Sequence, residues 1–108
     1  MPKVFSTWVI TLRPGVTEGE FEQFLREWDP AAPLPGTRPR ILKGERGEGL
    51  GKYLMLNEFE SVETRDRYFP SRNQASKEAE ELMQSKSFQA LVSFIGERED
   101  ADWVVLLE

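Results

Sequence analysis

Between Val4 and Trp28 the side-chain pattern changes period once, and a turn and a fully signed helix start mark the change. From Val4 to Leu12 most residues are β-branched or aromatic, with Phe5 and Trp8 on opposite faces of an extended chain, which predicts a first strand. Arg13-Pro14-Gly15 supplies the turn. In the stretch "VTEGEF", Thr17 is the N-cap, Glu20 sits at the capping-box position, and Val16 with Phe21 forms the hydrophobic staple. Phe21, Phe24, Leu25 and Trp28 follow at i, i+3, i+4 and i+7 as one wide apolar stripe, and Asp29-Pro30 ends the helix.

Four of the seven prolines fall in "PAAPLPGTRP", Pro30 to Pro39, which predicts a stiff loop because each proline removes a backbone donor. Arg40 to Arg46 reads as a second strand and the glycine-rich "GERGEGLG", Gly44 to Gly51, as a mobile connection. Lys52 to Glu60 is a third strand by alternation. It sets Tyr53, Met55, Asn57 and Phe59 on one face and Leu54, Leu56 and Glu58 on the other. Ser61 is a natural N-cap for a short helix, Val62 to Phe69, with Glu63 in its first turn and Pro70 closing it. A helical region from about Ser76 to Ile95 follows, able to jog at Ser85 to Ser87, with Gly96 as its C-terminal cap. The polar link "ERED" leads to a last strand, Ala101 to Leu107.

The order is strand, helix, two strands, helices, strand: an α+β chain of ferredoxin-like βαββαβ type with an antiparallel sheet. At 108 residues this is a single domain, 1–108. The first and last strands read as apolar on both faces, yet helices in such a fold cover one face only. A second copy packed sheet to sheet, an isologous homodimer, is the economical cover for the other.

Composition removes several function classes. The 19 acidic and 14 basic residues give a net charge of -5, which repels phosphate backbones, so nucleic acid is not an expected partner. With no histidine and no cysteine, transition-metal sites, disulfides and thiolate chemistry have no ligands or nucleophiles, and no metal or cofactor is expected. No apolar run approaches a membrane span or a signal h-region, so no membrane association is expected and the cytoplasm is the expected location.

Two motifs carry a family resemblance: the strand-to-helix corner "FESVET", Phe59 to Thr64, and "LRPGVTEGEFEQF", Leu12 to Phe24. Together with the element order they resemble the dimeric α/β-barrel proteins, which include the stress-responsive barrel family with its polyketide cyclases and the antibiotic-biosynthesis monooxygenases. The resemblance implies a small-molecule pocket between helices and sheet in each subunit, and a homodimer through the outer sheet faces. Cyclases and haem-degrading relatives rely on a histidine, and "RYFPSRN" after the second helix has none. Cofactor-independent monooxygenases of the superfamily activate a phenolic substrate with asparagine, tryptophan, arginine or tyrosine. The resemblance therefore implies an enzyme of that type acting on an aromatic or polyketide-like compound.

Asn57 is the most informative polar residue, an amide in an otherwise apolar strand, which must bond either a ligand or a core partner. Trp8 offers a ring wall and an indole N–H, or plain core packing. Tyr68 and Tyr53 are candidate phenolic donors, the first catalytic and the second ligand-binding. Phe21, Phe24, Leu25 and Phe88 would form the apolar walls. Arg65, Arg67 and Arg72 read as surface ion-pair partners of nearby carboxylates rather than as an anion site. The alternative to an enzyme is a non-catalytic ligand-binding or interaction dimer using the same residues.

Overall fold

The computed structural model describes residues 2–108. Strand β1 (Val4–Leu12) leads to helix α1 (Glu18–Glu27), strand β2 (Thr37–Lys43), strand β3 (Tyr53–Phe59), helices α2 (Val62–Tyr68), α3 (Lys77–Gln84) and α4 (Lys86–Val92), and strand β4 (Ile95–Val104). The strands form one antiparallel sheet in the order β2-β3-β1-β4, an α+β architecture compatible with the ferredoxin-like arrangement. Among the described residues no helix is long and apolar enough to cross a membrane.

The caps read from sequence are present. Thr17 Oγ1 accepts from the Glu20 N–H at 3.1 Å, and Glu20 accepts in return from the Thr17 N–H at 3.3 Å, so the first turn of α1 satisfies two otherwise free donors. Ser61 Oγ accepts from the Thr64 N–H at the start of α2. Ser85 is the jog: its extended backbone separates α3 from α4. Its hydroxyl donates to Leu82 O at 2.7 Å and accepts from the Phe88 N–H, so it closes one helix and opens the next.

Two strands differ from the sequence reading. β2 runs Thr37–Lys43 rather than Arg40 to Arg46 and contains Pro39, which an edge strand tolerates because nothing pairs with its outer side. β4 begins at Ile95, so the expected helix cap Gly96 and link "ERED" lie inside the strand, and pairing with β1 ends at Val104. Gly96 sits where the β1–β4 register shifts between Thr11 and Leu12, and a Cβ there would stand 2.9 Å from the Leu12 carbonyl oxygen. The long charged run stays extended because β4 is an edge, where charge also discourages pairing with a further chain.

These shifts correct the account of the sheet faces. Helices cover the face bearing Val4, Ile10, Tyr53 and Phe59, all buried. The same face of β4 carries Arg98, Asp100 and Asp102, all exposed, so the last strand is not apolar on both faces. The second apolar face is built by β1 and β3, through Phe5, Val9, Leu54 and Leu56, with Leu42 of β2 and Trp103 of β4 exposed at its margins.

Candidate functional site

The core under the helices divides in two. One cluster gathers Val4, Phe59, Tyr68 and Ala79 beneath α2 and α3; the other gathers Ile10, Phe21, Tyr53 and Leu91 beneath α1 and α4. The seam between them is polar where it crosses the sheet. Strand register places Pro39, Asn57, Ser6 and Asp102 side by side, and Ile41, Met55, Trp8 and Asp100 in the next row on the same face.

Asn57 Oδ1 is buried and has no hydrogen-bond partner. Buried amide oxygens are nearly always paired, and leaving one unpaired costs about 1–3 kcal/mol. Ser6 beside it is committed outward, donating its hydroxyl to Asp102 at 2.6 Å. Asp102 also receives the Arg65 guanidinium, which bonds Asp66 at 2.8 Å as well. Those two carboxylates, Asp66 first, hold the Arg65 charge more firmly than usual against the opposing effect of burial.

Trp8 walls the next row. Phe88 meets its ring edge-on at 6.0 Å between centroids, and the Arg98 guanidinium lies 4.1 Å from the ring centre on the open side. A cation over an indole face is favourable, so Arg98 covers Trp8 where no helix does. Arg98 escapes the sequence reading because it falls in the segment taken for a link. Asp102 and Ser6 escape it too, since neither stands out until the register sets them beside Asn57.

The remaining expected site residues are placed elsewhere. Tyr53 is buried in the second cluster and donates its hydroxyl to Glu22 at 2.6 Å, while Glu22 holds Lys43 at 2.8 Å. Burial, reinforced by Glu22, pushes the Tyr53 phenol well above its ordinary value, so it remains protonated and tied to one acceptor. The Lys43 bond, then the Tyr53 bond, lowers Glu22 below the usual carboxyl value. Tyr68 donates to the Pro35 carbonyl at 2.8 Å and pins the proline-rich loop to α2. Phe21 is fully buried against Tyr53 at 4.8 Å, and Phe24 packs on Phe94 at 4.6 Å. Leu25 packs against the same cluster. Phe21, Phe24, Leu25 and Tyr53 are thus one packed group. Trp8 packs against that same cluster and meets Phe88, Asn57 lies one row away from Trp8 on the same face, and Tyr68 belongs to the first cluster.

Two shallow hollows, of about 240 and 150 Å3, lie outside the seam at the β2–β3 hairpin and toward β4. Val9 and Lys52 line both. Among the described residues, no three His, Cys, Asp or Glu side chains converge as a metal site would require. No protein-family model matches the chain, and no curated protein matches it significantly.

Proposed function

We propose that the chain is one subunit of a homodimeric α/β barrel that binds a small, mostly apolar molecule carrying a hydrogen-bond donor at the seam under the helices. The observation that carries this reading is the buried, unpartnered Oδ1 of Asn57, placed where the two apolar clusters part. A phenol or enol hydroxyl suits it: the O–H would satisfy the amide oxygen, and an aromatic body would rest against Trp8 and Phe88. The class of protein resembled, the dimeric α/β-barrel superfamily, places its ligands in the corresponding region.

The test is calorimetric titration of a panel of phenols and enolisable polyketide-like compounds into wild-type protein and Asn57→Leu. Binding weakened about tenfold or more in the variant supports the reading, since that is the effect expected from losing one buried hydrogen bond. Equal affinity in the two proteins would remove Asn57 from the site.

A second reading is a cofactor-independent monooxygenase acting on that same bound phenol. The register favours it by setting Asn57 in the row next to Trp8, a pair such chemistry draws on. It ranks second because both tyrosine hydroxyls are already engaged and an amide oxygen is too weak a base to take the phenolic proton. Oxygen uptake dependent on a bound phenol, and lost in Asn57→Leu, would raise it to first.

A further inference from the structure

The uncovered face of the sheet has a charge pattern as well as an apolar one. Register puts Arg38 in the row that ends at Trp103, with Glu58 and Phe5 between them, and Leu42 in the row that ends at Glu99, with Leu54 and Val9 between. Arg40 follows Arg38 on one edge strand, and Glu97 follows Glu99 on the other. The apolar residues therefore run as a diagonal stripe from Leu42 through Leu54 and Phe5 to Trp103. A basic corner lies on one side of that stripe and a corner of net negative charge on the other, where Lys52 lines the same hollow as Glu97 and Glu99. Glu58, the one acid in the basic corner, is already paired with Arg40 at 3.2 Å and Lys3 at 3.6 Å. Among the described residues Arg38, Glu97 and Glu99 take part in no ion pair.

We infer that this face is covered by a second copy of the chain whose two-fold axis lies along the apolar stripe, so that Arg38 and Arg40 of each subunit meet Glu97 and Glu99 of the other. The inference rests on the homodimer reading and adds its orientation. A two-fold contact is isologous, and turning the face over about an axis along one diagonal exchanges the two corners on either side of it. Only that family of axes brings opposite charges together while stacking apolar on apolar. An axis along the strands sets Arg38 over Trp103 and Leu42 over Glu99, and an axis across them sets β2 over β2. The stripe spans about 14 Å across the strands and about 13 Å along them. The two sheets then cross at roughly 90°, in the orthogonal class of sheet packing.

The test is native mass spectrometry of wild-type protein mixed with the corner-exchanged variant Arg38→Glu, Arg40→Glu, Glu97→Lys, Glu99→Lys, one of the two isotopically labelled, after subunit exchange. The expected result is self-sorting: each homodimer is complementary, whereas a mixed dimer sets basic on basic and acidic on acidic, which is strongly unfavourable. Arg38→Glu with Arg40→Glu alone is expected to weaken the dimer about tenfold or more, and the full exchange to restore it. Statistical or preferential mixing would overturn the orientation and leave the dimer standing. A monomeric wild type would overturn the dimer and the orientation with it. If the full exchange does not fold, Arg38→Glu with Glu99→Lys carries the same test, with circular dichroism confirming the fold of each variant.

Discussion

The two faces of the sheet are built from the same strands by different rules. On the helix face Val4, Ile10, Tyr53 and Phe59 are almost completely buried, and Tyr53 and Tyr68 give their hydroxyls to fixed partners. Among the described residues, Asn57 Oδ1 is the one buried side-chain polar atom left unsatisfied. On the other face the apolar side chains are only partly covered, with Trp103 61% and Leu42 44% exposed, and the charges gather at opposite corners. The unpaired atom in the finished core is the one the proposed ligand would satisfy. The unfinished face with its charged rim matches the proposed dimer surface, because interfaces combine an apolar centre with a polar margin.

The largest expected effect separates the faces by assembly. Leu54→Glu puts a charge in the middle of the apolar stripe and is expected to weaken dimerisation about 100-fold or more while leaving the subunit folded, as read by light scattering and circular dichroism. An unchanged dimer would show that the interface lies elsewhere. Phe21→Ala should do the reverse. Loss of a fully buried ring costs about 3–5 kcal/mol, read from denaturant unfolding, and a cost under 1 kcal/mol would mean the second cluster is not the core.

Smaller effects probe the helix face in detail. In unliganded protein Asn57→Leu should leave stability unchanged or raise it by about 1 kcal/mol, since the oxygen removed is unpaired. A clear loss of stability would mean the amide has a structural partner. For Tyr53, the folded state holds the phenol protonated above its ordinary value. Its contribution is therefore complete below the unfolded tyrosine value and is lost as pH rises beyond about 10. The urea midpoint should fall as pH rises through that range, and fall less in Tyr53→Phe. An equal fall in both proteins would take Tyr53 out of the alkaline transition.

How much of this was legible follows from where each signal resides. The caps at Thr17 and Ser61 and the alternation of β3 are local chemistry, and the structure repeats them almost residue for residue. β4 was misplaced because "GERED" has the composition of a loop, and only pairing with β1 makes it a strand. That shift also hid Arg98 and Asp102, whose places beside Trp8 and Ser6 depend on register and not on neighbours in sequence. The strand alternation already set Asn57 on the Phe59 face. Its missing partner was not legible, because burial of one atom depends on every element around it.

The central claim is that one face takes a small molecule and the other takes a second chain. Native mass spectrometry of protein purified without denaturation addresses both parts at once. The expected result is a species with the mass of two 12.5 kDa chains that retains, or takes up from a phenol panel, one small molecule per subunit. A single 12.5 kDa species that binds nothing would contradict the claim for both faces.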